Sequence, residues 1–128
     1  MGILDGRVAI ITGAGGGLGA AHARVMAGEG CAVIVNDINT EAAQAVVDEI
    51  SAAGGKAAVN SSDITNYDDS LNAIKQAIDE FGGLHIVVNN AGVNRDRMFA
   101  SMTEAEWDTI MAVHLKGHFC ISSHAVHY

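Results

Sequence analysis

The 128-residue sequence has no proline, two cysteines and only 5% aromatic residues. Cys31 and Cys120 show neither metal-site nor redox spacing, so they read as small core or surface residues of a protein kept in a reducing compartment. Positive charge is scarce as well. Seven Lys and Arg face fifteen Asp and Glu, a net charge of −8, which leaves no electrostatic footprint for nucleic acid or an anionic membrane and is expected simply to keep the protein soluble. No apolar run approaches the length of a membrane span, and the N-terminus lacks a charged leader followed by an apolar segment. A cytoplasmic protein with neither a membrane nor a nucleic-acid partner is expected. The missing prolines are unusual for an α/β enzyme, whose loops and helix starts ordinarily use several, and leave two readings open, chance or an incomplete chain.

What is present is periodic. The length suits one domain with a modest core, and 49% hydrophobic residues with few aromatics suit a buried parallel sheet covered by Ala-rich helices. The apolar run Val8–Ile11 leads into Thr12, Gly13, Ala14, Gly15, Gly16, Gly17, Leu18 and Gly19, and a second run, Ala32–Val35, ends near Asp37. Between them Leu18, Ala21, Val25 and Met26 are expected on the apolar face of a helix. This strand, glycine turn, helix and strand form one βαβ unit. Glycines there let the backbone turn tightly and approach a pyrophosphate, and the helix N-terminus offers free N–H groups to it. Asp37 follows at about 20 residues, where a carboxylate accepts from an adenosine ribose. The spacing therefore predicts a dinucleotide site.

The alternation continues. Thr40 is expected to cap a helix whose inward stripe is Ala42, Val46, Ile50 and Ala53, ended by Gly54 and Gly55, with a short strand over 57–60 after it. Thr65 and Asp68 have capping-box spacing before a helix carrying Leu71, Ile74, Ile78 and Phe81, ended by Gly82 and Gly83. A fourth strand is expected over 84–88. Thr103 and Glu106 make another capping box, opening a helix through Trp107, Ile110, Met111 and His114. Strict alternation predicts an α/β fold, a Rossmann-type doubly wound parallel sheet of order 3-2-1-4, as one domain over 1–128.

With Asn89, Asn90, Ala91 and Gly92 placed directly after the fourth strand, the sequence resembles the short-chain dehydrogenase/reductase family. That family's TGxxxGxG is matched by Thr12, Gly13, Gly17 and Gly19, its acidic residue after the third strand by Asp63, its NNAG by Asn89–Gly92, and its helix segment by Trp107–Phe119. The resemblance spans nearly the whole chain but only the N-terminal half of a family member, so the domain is expected to stop before the catalytic strand. It implies NAD, because a carboxylate at Asp37 bonds two ribose hydroxyls and repels a 2′-phosphate. NADP users tend to carry a basic residue in the glycine loop or just after strand two, where this chain has Gly15, Gly16 and Ile38. It further implies Asp63 and Ile64 against the adenine, and Asn90, Ala91 and Gly92 along the ribose and nicotinamide. Thr12 and Asn89 are expected to fasten neighbouring strands. The narrower likeness of Asn94–Arg97 and Val113–Gly117 is to dehydrogenases of hydroxyacyl-CoA or hydroxysteroids, including those of multifunctional β-oxidation enzymes.

Two departures stand out. His114 occupies the place where most of the family has an Asn serving a water-mediated proton relay; imidazole can also donate and accept, so a catalytic relay and a hydrogen-bonded core histidine both remain open. The family's Ser and Tyr-x-x-x-Lys have no counterpart in these 128 residues, and Tyr128 is the last of them. An alcohol or ketone oxidoreductase that works as a homo-oligomer is implied for a full-length member. The other readings are a non-catalytic dinucleotide-binding fragment and, from a different class, an S-adenosylmethionine methyltransferase, which the NNAG segment and glycine spacing disfavour. His118, His124 and His127 with His114 lack a carboxylate at ligand spacing, so no metal is expected.

Overall fold

A computed structural model describes residues 2–128. Four parallel strands form one sheet in the order β3-β2-β1-β4: β1 (Val8–Thr12), β2 (Ala32–Asn36), β3 (Lys56–Asn60) and β4 (Ile86–Val88). This is the expected 3-2-1-4 order. β1 and β2 run in register from Val8 opposite Ala32 to Thr12 opposite Asn36. Both are buried along their full length, as befits strands covered on two faces. The fourth strand pairs only from Ile86, shorter than the apolar run; just before it His85 N–H donates to Val8 O and the His85 ring Nδ1 accepts from Val8 N–H, both at 2.9 Å.

Helices α1 (Gly17–Gly28) and α2 (Thr40–Ala52) cover one face, where Ala9, Ile11, Val33 and Val35 meet Ala20, Ala23, Ala43, Val46 and Ile50. Helix α3 (Tyr67–Phe81) and the rod after β4 cover the other, where Ile10 and Ile34 meet Ile64, Ile74 and Ile121. That rod is α4 (Glu104–Met111), a π turn (Ala112–Lys116) and α5 (Gly117–Ala125). Cys31 and Cys120 are both buried, and burial pushes both thiols up, so they pack as small neutral groups.

Several local expectations need correction. The buried face of α1 is Gly19, Ala20, Ala23 and Ala27, while Leu18 and Val25 point outward; a helix entered from a tight glycine turn lies close to the sheet, and small residues fit the gap. In α2 the inward stripe is Ala43, Val46, Val47 and Ile50, and Ala53 is the exposed C-cap. Likewise Ser70, Ala73, Ile74 and Ala77 are the buried face of α3, with Leu71, Ile78 and Phe81 at its margin. Asn39, not Thr40, caps α2 by accepting from Ala42 N–H at 3.1 Å. Asn66, not Thr65, caps α3 by accepting from Asp69 N–H at 2.9 Å. In both pairs an Asn lay beside the threonine and its longer acceptor arm reaches the first turn. Thr103 does cap α4, accepting from Glu106 N–H at 3.1 Å, and Gly82 ends α3 in the left-handed conformation at φ 82°.

Candidate functional site

At the carboxyl ends of the strands lies a cleft of about 490 Å³. This is where open α/β sheets bind ligands. Its walls include Gly13 and Gly16 from the glycine turn, Asp37 and Ile38 after β2, Asp63 and Ile64 after β3, and Asn90, Ala91 and Gly92 after β4. Nine of the expected binding residues thus come together. Gly15, Gly17, Leu18 and Gly19 belong to the same turn but do not line the cleft; Leu18 is 73% exposed and turned outward.

The turn is shaped by space and by backbone conformation. Gly13 has φ 62°, and a Cβ there would sit 2.7 Å from Ala91 Cα. Gly19 would bring one within 2.5 Å of Gly13 O and 2.9 Å of Ala14 Cα. Only bare backbone fits between the β1 turn, the start of α1 and the loop after β4. Gly16 is the N-cap of α1 and gives it no side-chain cap, so the helix start is left to bind something else.

Asp37 is half buried at the end of β2. Its Oδ2 accepts from Gly15 N–H at 2.9 Å and its Oδ1 from Asn39 N–H at 2.9 Å. Beneath it lies a polar ladder that leaves no periodic signal in the sequence. Asn36 Nδ2 donates to Asn60 Oδ1 at 2.8 Å and to Ser62 O at 3.0 Å, and Asn60 Nδ2 donates to Gln76 Oε1 at 2.9 Å. Buried amides paired in this way tie the ends of β2 and β3 to α3. Asp63 is exposed, and its Oδ1 accepts from Thr65 N–H at 2.9 Å and from the Thr65 hydroxyl at 2.6 Å, which also makes it the turn residue entering α3.

Across the cleft, Thr12 and Asn90 lock the loop after β4 onto β1. The Thr12 hydroxyl accepts from Asn90 N–H at 3.1 Å and Ala91 N–H at 3.0 Å, while Asn90 Nδ2 donates to Thr12 O at 3.1 Å and Gly13 O at 3.2 Å. Asn89 fastens a helix rather than a strand, donating to Ser122 Oγ of α5 at 3.0 Å. His114 is exposed, so it is no core histidine. It lies in the π turn with Nε2 at 2.8 Å from Val93 O and 3.0 Å from Val93 N, and a Cβ on Gly92 would sit 2.7 Å from its Cε1. Val93 and Val113 also line the cleft. Neither valine is marked in the sequence, since the motif beside each is carried by its neighbour, Gly92 or His114. Among the described residues no group of His, Cys, Asp and Glu is placed to hold a metal, and no helix is long and apolar enough to cross a membrane.

The geometry suits a dinucleotide. It offers bare backbone for a close approach, an uncapped helix start for a pyrophosphate, and a carboxylate at the end of β2 for a ribose. Comparison with known proteins agrees. A family model for short chain dehydrogenases matches residues 7–128. A solved short chain dehydrogenase from Mycobacterium avium superposes with a TM-score of 0.96 at 50% identity, covering 99% of this chain and 49% of that one. A hydroxyacyl-CoA dehydrogenase of Mycobacterium tuberculosis is 45% identical over 98% of this chain and 41% of its own length. The peroxisomal multifunctional enzyme type 2 of Mus musculus is 45% identical over 92% of this chain and 17% of its own. The chain therefore spans about half the length of that solved relative, and less of these two curated ones. It belongs to the short-chain dehydrogenase family.

Proposed function

We propose that this chain forms the NAD-binding part of an oxidoreductase acting on an alcohol or ketone, with hydroxyacyl-CoA or hydroxysteroid substrates the favoured class. The name of one relative, a hydroxyacyl-CoA dehydrogenase, supports the acyl-CoA part of that class, and the observation that carries the cofactor reading is Asp37. Its carboxylate is held at the end of β2 by two backbone N–H groups, and no Lys or Arg is among the described residues that line the cleft to welcome a 2′-phosphate. The glycine turn and the start of α1 take the pyrophosphate. Asp63 and Ile64 flank the adenine, and Asn90, Ala91 and Gly92 border the inner ribose. Bound there, the nicotinamide supplies or accepts the hydride.

His114 holds the loop that borders this inner end through Val93, and any proton-relay role adds to that duty. The family's Ser and Tyr-x-x-x-Lys are not among the 128 residues, so the chain by itself is proposed to bind cofactor without turning over substrate. The same reading carries a homo-oligomer, supported by the exposed apolar side chains Trp107, Leu115 and Phe119 along the α4–α5 rod. A cytoplasmic or other reducing location fits the two free buried thiols.

Calorimetric titration of the chain with NAD, NADP and S-adenosylmethionine tests the reading. NAD is expected to bind at least about tenfold more tightly than NADP, the equivalent of ~1.4 kcal/mol, and Asp37→Ala to erase that gap. Equal affinity for the two dinucleotides, or binding of S-adenosylmethionine alone, overturns it.

A further inference from the structure

We propose that Gly15 is a specificity-determining residue: its N–H and its lack of a side chain hold the Asp37 carboxylate in the one orientation that reads an unphosphorylated ribose diol. The inference rests on the NAD reading above and adds to it a second residue through which the choice of dinucleotide is made.

The argument begins with hydrogen-bonding capacity. A carboxylate has about four lone-pair sites. In Asp37 each oxygen already holds one backbone N–H, Oδ2 that of Gly15 and Oδ1 that of Asn39, both at 2.9 Å. One site per oxygen remains, which matches two vicinal hydroxyls. The two N–H donors come from different elements, the glycine turn and the entry to α2, so together they fix the plane of the carboxylate rather than merely attract it.

Space makes the same point independently. A Cβ on Gly15 would fall 2.7 Å from Asp37 Oδ2, 3.0 Å from its Cγ and 3.1 Å from Ala42 Cβ. Ala42 is in the first turn of α2 and cannot yield without moving that helix. The carboxylate is the end of a short side chain and can. Gly13 and Gly17 adopt positive φ, but Gly15 does not, so glycine is required here for room alone. Any side chain at this position therefore turns the carboxylate away, costs it the Gly15 N–H, and shifts its negative charge from the place where a 2′-phosphate would meet it. The change reaches specificity without touching the carboxylate itself.

The test is a double-mutant cycle read by calorimetry with NAD and NADP on the chain, using wild type, Gly15→Ala, Asp37→Ala and the double variant. Because a hydrogen bond to a charged group is stronger than one between neutral groups, Gly15→Ala is expected to cut the NAD-to-NADP affinity ratio by about tenfold or more. In the Asp37→Ala background the same substitution should leave the ratio unchanged. An unaltered ratio in Gly15→Ala, or an equal effect with and without Asp37, overturns the inference while leaving the NAD reading intact. A wild type without preference for NAD overturns the reading first. Hydrogen exchange at the Gly15 amide is the arm that needs neither ligand nor a Gly15 variant. Exchange should speed in Asp37→Ala, and an unchanged rate means the bond that orients the carboxylate is not there.

Discussion

The two ends of the cleft are built in different ways. At the β2 end, strands of five residues, buried throughout in β1 and β2, hold the glycine turn and Asp37, and the polar groups beneath them are paired in the Asn36–Asn60–Gln76 ladder. At the β4 end the strand has three half-buried residues, and the loop after it is exposed, with Met98 at 82% and Phe99 at 90%. Among the described residues, the buried side-chain polar atoms without a hydrogen-bond partner are Asn89 Oδ1, Glu106 Oε2 and His118 Nε2, all at the end of β4 or on the rod that follows. Glu106 Oε2 does lie 3.2 Å from Arg97 Nε, an ion pair rather than a well-aligned bond. One end is thus a framework that positions its residues by packing. The other is a loop positioned by a few hooks, Thr12, Asn90 and His114.

The largest effect is expected from breaking the framework. Gly19→Ala would set a methyl against Gly13 O and Ala14 Cα, both backbone atoms of the turn, and against Asn90 Nδ2. Backbone cannot yield as a side-chain tip can, so a loss of about 3 kcal/mol, the upper range for overpacking, is expected in urea denaturation. Dinucleotide binding should go with it. A variant that keeps wild-type stability would mean the β1 turn is looser than its packing implies, and the contrast between the two ends would fall.

A smaller but more selective effect is expected from Thr12→Val, which keeps the shape and removes the hydroxyl. The N–H groups of Asn90 and Ala91 then lose their acceptor. One unsatisfied buried donor costs ~1–3 kcal/mol; because these two are only part-buried, about 2 kcal/mol in total is expected. The signature is regional. Amide exchange should rise at residues 90 and 91 and stay unchanged at Gly15. If both ends loosen together, they are one unit and the distinction between framework and hooks is wrong.

The sequence carried the sheet order, the glycine turn and the Thr12 and Asn90 motifs well, and the helix caps, the face of α1 and the setting of His114 poorly, for physical reasons. Four apolar runs separated by helix-length segments call for a parallel sheet with right-handed crossovers, and the dinucleotide-type glycine turn after the first of them selects the Rossmann order 3-2-1-4 among doubly wound sheets. The glycines of the turn are readable because bare backbone leaves its mark as a residue type. Other features rest on short-range competition that periodicity does not encode. Whether Asn39 or Thr40, and Asn66 or Thr65, caps a helix depends on which acceptor reaches the first turn. The alanine face of α1 was hidden because larger apolar residues, Leu18 and Val25, dominate a hydrophobic count while pointing to solvent. The π turn at 112–116 shifts His114, which is exposed, off the stripe that 3.6-residue spacing would share with the half-buried Ile110 and Met111.

That shift sets up the smallest and most discriminating prediction. One imidazole nitrogen, His114 Nε2, stands within hydrogen-bond distance of both Val93 N–H and Val93 O. It can accept from the first or donate to the second, but one nitrogen cannot do both at once. A side-chain amide carries an acceptor and a donor and can serve the two groups together. His114→Ala is therefore expected to cost about 1 kcal/mol, as for a single net hydrogen bond at an exposed site, and to speed exchange at the Val93 amide. His114→Asn should slow that exchange to or below the wild-type rate and tighten NAD binding if the inner ribose is bordered by this loop. Were the asparagine variant to behave like the alanine one, the imidazole would be acting by its bulk against Gly92 rather than as a hook, and the β4 end would be positioned by packing after all.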